Sequence, residues 1–195
     1  MTFDILYANI EKHIHLNHDD RLQFLSVLKT KSVKKKSIIL SENQVSTHAT
    51  FVIKGCLKAY TVDDNGFEHI IQFAPEDWWV TDMYSFITQR PGNIIIEAIE
   101  NSEIVQLSRA DQLKLFDTIP QFERYFRIIT EKSLVSYRRR LLDNMSLTAA
   151  ERYEGFCIQY PTLITQLPQK LIASYIGVTP EFLSKMRAGL RNKSK

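Results

Sequence analysis

Apolar positions change their period twice along this chain. In residues 3–30, Phe3, Ile5, Leu6 and Ile10, then Leu22, Leu25 and Leu28, recur on one side, which predicts helix. From Ile38 the pattern becomes strand-like. Short runs at 38–40, 50–53, 57–62, 69–73, 94–99 and 103–107 are strand candidates. Turn signals separate them: Ser41-Glu42-Asn43, Lys54-Gly55, Asp63-Asp64-Asn65-Gly66, Ala74-Pro75-Glu76-Asp77 and Pro91-Gly92-Asn93. Asn65-Gly66 suits a hairpin that needs positive φ. Many short strands at this spacing predict a β-roll or jelly-roll-like core.

Helical spacing returns at Ser108, an N-cap with Asp111 three residues on. Ile119-Pro120 opens a long helix expected to reach about Asn144, a rod of roughly 38 Å. Ile128, Val135 and Leu142 repeat every seven residues along it, flanked by Leu134, Tyr137, Leu141 and Met145, with Arg138-Arg139-Arg140 on part of the remaining face. So wide a stripe has room for packing within the chain and against a second subunit. Thr148 and Glu151 form a capping-box pattern for a further helix that ends before Pro161. The stretch 162–167, before the next motif, leaves room for a short hairpin.

The segment 167–187 reads as two short helices joined by a glycine turn. Leu171, Ile172 and Tyr175 have helical spacing, Gly177 breaks it, Thr179 is an N-cap, and Pro180 takes the first helical position. Phe182, Leu183 and Met186 then give the second helix an apolar face, with Phe182 and Leu183 read as core. This is the pattern of a helix-turn-helix, whose second helix enters the major groove of DNA.

Charge sharpens that reading. The net charge is only +3, but residues 170–195 hold six Lys/Arg against one acid, Glu181, leaving 19 basic and 21 acidic residues elsewhere. Lys170, Lys185 and Arg187 lie inside the motif itself, where a solvated basic tail is a poorer explanation. No apolar run approaches the roughly 18 residues of a membrane span, and the start of the chain lacks the basic region of a signal peptide. Cys56 and Cys157, far apart in sequence, suggest no disulfide framework. A cytoplasmic protein without a membrane partner is expected.

Enzyme chemistry finds little support. Only His48 and His69 fall in the barrel segment, too few for a cupin-like metal site, and His13, His15 and His18 do not share one helical face. No nucleophile elbow, P-loop or His-Glu-Xaa-Xaa-His motif is present. No catalytic residue, metal or cofactor is expected.

A strand-rich barrel, a long helix and a helix-turn-helix, in that order, resemble the Crp/Fnr family of regulators. Residues 51–60, with Gly55 between two strands, are similar to the family's strand-glycine-strand signature, and Glu97–Ile104 resembles the strand after its ligand cassette. Arg152-Tyr153, Tyr160-Pro161 and Leu167–Lys170 resemble a branch of short members. The resemblance implies an α+β chain with a sensor domain at 1–118, a connecting and dimerisation helix at 119–145, and a DNA-binding domain at 146–195. It further implies a homodimer on double-stranded DNA, a small-molecule effector, and RNA polymerase as a partner the family allows. By the same resemblance Glu181 accepts from cytosine and Lys185 donates to guanine. Thr179, Ser184 and Arg187 fall on the reading helix, and Gln169 and Lys170 grip phosphate. Pro180 replaces a base-contacting side chain.

The cassette departs from the family. Members that bind cyclic nucleotides carry a Gly-Glu-Leu-like turn and then Arg-Ser/Thr-Ala. This chain has Trp78-Trp79-Val80-Thr81-Asp82-Met83, and Gly92 stands where the arginine is expected. Trp79, Asp82, Arg90 and Asn93 are therefore the candidates for an altered pocket, with core filling an equal reading of Trp78-Trp79, and the Asp82 carboxylate argues against a cyclic phosphate. The rival reading is a ligand-sensing or protein-interaction module that has lost DNA binding.

Overall fold

A computed structural model describes residues 3–193. Two short helices, α1 (Asp4–Glu11) and α2 (His18–Ser26), precede eight strands: β1 (Leu28–Val33), β2 (Ile38–Leu40), β3 (His48–Lys54), β4 (Leu57–Val62), β5 (Glu68–Ala74), β6 (Trp79–Val80), β7 (Ile95–Ala98) and β8 (Ser102–Ser108). A short α3 (Met83–Thr88) interrupts the strands after β6, and α4 (Arg109–Thr118) follows β8. Then come α5 (Gln121–Ser146), α6 (Ala149–Gln159), α7 (Leu163–Gln166), α8 (Gln169–Ile176) and α9 (Pro180–Lys193).

The strands form two four-stranded sheets, ordered β1-β8-β3-β6 and β2-β7-β4-β5. Antiparallel pairing sets Phe51 opposite Val105 and Trp79, and Ala59 opposite Ile96. Alternation then sends successive side chains to opposite faces. Val52, Leu57, Ala59, Val80, Ile96 and Ile104 build one apolar core between strands. Phe51, Val105 and Leu107 belong to a second, with Leu6, Ile10, Phe24, Leu115, Phe122, Tyr125 and Phe126 from the helices.

The chain divides into two compact units. One comprises Met1–Thr61 with Ile71–Glu131, the other Val62–Ile70 with Lys132–Lys195. The division falls inside α5, and the second unit takes in the β4–β5 hairpin tip.

Two predicted elements differ. Residues 3–30 are not one helix: Asn17 accepts from the Asp20 N–H at 2.8 Å, starting α2 with its own capping box, and Leu28 already lies in β1. A lysine-bearing edge strand, exposed along most of its length, gives almost no alternation to read. Residues 162–167 form no hairpin. Leu163 and Leu167, four apart, are both buried, and that spacing selects the single turn of α7.

The other terminations follow their caps. Ser108 accepts from the Asp111 N–H at 3.0 Å, and Thr148 and Glu151 close a reciprocal capping box on α6. Gly55 at φ 92° turns β3 into β4, and a β-carbon there would lie 2.9 Å from the Asn101 carbonyl oxygen.

Candidate nucleic-acid interface

Within the second unit, α8 ends at Gly177, whose φ of 72° is a left-handed conformation that side chains resist. The Val178 N–H returns to the Ala173 carbonyl at 3.0 Å. Thr179 Oγ1 then accepts from the Phe182 N–H at 3.2 Å, and Pro180 opens α9. Leu183 is fully buried, as are Ile172 and Ala173, so α9 packs on α8 through that side.

At 100° per residue, Glu181 and Lys185 fall on the side of α9 opposite Leu183. Both are exposed, and so is Ser184 beside them. Thr179, Gln169 and Lys170 are exposed as well, the last two at the start of α8. Arg187 is half-buried, with its guanidinium carbon 5.8 Å from the centre of the Tyr153 ring on α6. Of the basic tail, the side chains of Arg191 and Lys193 and the whole of Lys195 lie outside the described residues.

Phe182 does not behave as the core residue its spacing predicts. It is 51% exposed. The helical angle puts it at the margin of the apolar arc, where it borders a hollow also lined by Ala149 and Arg152 of α6. Spacing alone cannot locate such a margin, because coverage depends on the neighbouring helix.

A frame of buried groups holds these helices. Phe156, Tyr160 and Tyr175 stack with ring centres 5.3–5.6 Å apart, and burial raises the Tyr175 phenol above its ordinary range. Arg152 spans the turn: its Nε donates to the Ile176 carbonyl at 2.8 Å and its Nη1 to the Leu147 carbonyl at 2.6 Å. The hairpin tip is fastened to α8. Ser174 Oγ accepts from the Ile70 N–H at 3.0 Å and donates to the Glu68 carbonyl at 2.5 Å. Arg140 Nη2 donates to the Ile70 carbonyl at 2.6 Å and the Tyr175 carbonyl at 2.8 Å, and its guanidinium carbon lies 3.9 Å from the Tyr175 ring centre. These bonds satisfy backbone groups of edge strand β5. Neither Arg140 nor Ser174 carries a sequence signal for this role, since both read as polar positions on amphipathic helices.

The four pocket candidates of the first unit occupy different surroundings. Trp79 packs against Phe51 and Phe126, and its Nε1 donates to the Tyr125 hydroxyl at 2.8 Å. Arg90 and Asn93 are exposed. Asp82 is 2% exposed, and its Oδ1 accepts from the Ser85 N–H at 3.0 Å at the start of α3. Its Oδ2 is buried without a hydrogen-bond partner among the described residues. That oxygen lies where a β-carbon on Gly92 would be only 1.9 Å away, so glycine makes room for the carboxylate. Ser85 Oγ closes the loop, donating to the Arg90 carbonyl and accepting from the Ser46 N–H. Among the described residues no three His, Cys, Asp or Glu side chains gather as a metal site, and no helix is long and apolar enough to cross a membrane.

Residues 30–118 match the family of the cyclic nucleotide-binding domain. No curated protein sequence matches the chain. Among solved structures, the c-di-GMP responsive global regulator CLP of Xanthomonas campestris is similar with a TM-score of 0.75 at 14% identity, over 91% of this chain and 93% of that one. FixK2 from Bradyrhizobium japonicum has a TM-score of 0.74 at 19% identity, over 86% of each chain. A transcriptional regulator of the Crp/Fnr family from Eubacterium rectale has 0.71 at 16%, over 91% of this chain and 85% of that one. The chain thus carries a segment of the cyclic nucleotide-binding domain family within the α+β fold of the Crp/Fnr transcriptional regulators.

Proposed function

We propose that this chain is a transcriptional regulator that reads duplex DNA as a homodimer through α8 and α9. The observation that carries the reading is the outward placement of Glu181 and Lys185 on a helix whose opposite side, Leu183, is buried. Glu181 is suited to accept from cytosine N4 and Lys185 to donate to guanine O6 or N7. Lysine lacks the rigid fork of arginine, so it discriminates less sharply. Ser184 and Arg187 extend the reading helix, and Gln169 and Lys170 face phosphate from the first helix.

Support for the homodimer comes from α5. Leu134, Val135, Leu141, Leu142 and Met145 are 55–78% exposed over three turns, an apolar face of the kind that a parallel partner helix covers. Two reading heads then meet two half-sites. The first unit serves as the sensor. Gly92, standing where the resemblance expects the phosphate-binding arginine, packs on the buried Asp82 carboxylate and has no side chain to offer an anionic ligand, so an effector other than a cyclic nucleotide is proposed. A cytoplasmic location accords with this role.

The test is an anisotropy titration of full-length protein with duplexes selected from a random pool, at two salt concentrations. Affinity is expected to fall steeply with salt, and Lys185→Ala to relax preference at one base pair by about 1–3 kcal/mol. Salt-independent binding, or unchanged sequence preference in the variant, overturns the reading. Failure to bind any duplex leaves the module that senses without binding DNA.

A further inference from the structure

The reading helix exposes one large apolar side chain among polar ones. Phe182 is the third residue of α9, between Glu181 and Ser184, and about half of its surface is open. It borders a hollow of about 370 Å³ whose other lining residues are Ala149, Arg152, Val178 and Thr179. Arg152 turns its Nε and Nη1 to the Ile176 and Leu147 carbonyls. Thr179 Oγ1 is likewise committed to the Phe182 N–H, which leaves its methyl as its apolar part. The result is an apolar seat at the N-terminal end of a helix whose neighbouring side chains carry charge.

We propose that Phe182 is a specificity-determining residue that receives the C5-methyl group of a thymine in the major groove. The assignment rests on the DNA-reading function proposed above. Three arguments select this occupant. Residues at the start of a recognition helix are the ones that reach base edges. Thymine's methyl is the only apolar group that the four base pairs present in the major groove, and a phenylalanine is one of the side chains that meets it. Phe182 itself adjoins Glu181 in the chain and stands three residues before Lys185 on the same helix, all three exposed, so a duplex that engages those polar readers lies alongside it. Pro180, which offers no polar side chain, shifts discrimination further toward the apolar contact.

The experiment selects duplexes from a random pool with the full-length protein and with Phe182→Ala, then replaces each fixed thymine of the preferred site by deoxyuridine. That replacement deletes only the methyl group and keeps base pairing. The wild-type protein is expected to lose about fourfold in affinity at one thymine per half-site, the worth of one methyl-sized group. Phe182→Ala should show no such loss, and Phe182→Leu, which keeps an apolar side chain, should retain part of it. Circular dichroism of the variants confirms that the half-exposed position tolerates replacement. A preferred site without a fixed thymine overturns the assignment, as does a deoxyuridine penalty equal in wild type and Phe182→Ala. The regulator reading survives both of those outcomes. If no duplex is bound at all, both fall together. Capture of a protein partner through Phe182, with DNA affinity unchanged in the variant, also counts against it.

Discussion

Replacing Arg140 by alanine should destabilise the second unit far more than replacing its neighbour Arg138. The three consecutive arginines of α5 look alike in sequence, yet Arg138 and Arg139 are exposed while Arg140 is half-buried. Its Nη2 donates to the carbonyls of Ile70 and Tyr175 at 2.6 and 2.8 Å, and its guanidinium stacks on the Tyr175 ring. A hydrogen bond from a charged donor contributes about 1.5–3 kcal/mol. The site is half-open, and water can restore part of the loss at the two carbonyls. The expected cost of Arg140→Ala is therefore about 2–4 kcal/mol, against less than about 0.5 kcal/mol for Arg138→Ala. With a urea m value of about 1.5 kcal/mol/M, this lowers the unfolding midpoint by roughly 1.3–2.7 M. Circular dichroism at 222 nm follows it, because the second unit is mostly helical. Arg140→Lys keeps the charge but not the fork and should fall between the two. Equal midpoints for the two alanine variants would refute the reasoning.

Three further outcomes are expected. Leu141→Glu with Met145→Glu should turn a sedimenting dimer into monomer while leaving the helical signal intact; identical sedimentation of variant and wild type would remove α5 as the subunit interface. Gly92→Ala should cost about 1–3 kcal/mol, because the added carbon would meet Asp82 Oδ2 at 1.9 Å and Ser85 Cβ at 3.1 Å. Asp82→Ala in the same chain should recover part of that cost, and additive effects in a double-mutant cycle would argue against the contact. Burial pushes the Cys56 thiol up to about 12, so the folded protein holds a proton that the unfolded chain loses above pH 9. Its contribution is complete below pH 9 and is lost as pH rises from 9 to 12. Urea unfolding at pH 8 and pH 10 should show this loss, and Cys56→Ala should flatten it.

Much of the architecture was legible along the chain because it depends on local rules. Caps at Ser108, Thr148 and Thr179, the left-handed turn at Gly177 and the shift of period at Ile38 each act over a few residues. The same is true of the outward Glu181 and Lys185, since helical spacing with Leu183 inward determines their side. Edge strand β1 escaped notice because an exposed strand has no buried face to impose alternation.

What only the tertiary structure decided is which neighbour each side chain meets. Arg140 differs from Arg138 because it reaches a β-strand seventy residues earlier in the chain. Asp82 occupies its place because Gly92, ten residues on, leaves room for it. Phe182 stays half-open because Ala149 and Arg152 of α6, with Val178 and Thr179, leave a hollow beside it rather than a close-packed cover. Each of these outcomes turns on the size and hydrogen-bonding groups of residues brought close only by folding, and no local period encodes them.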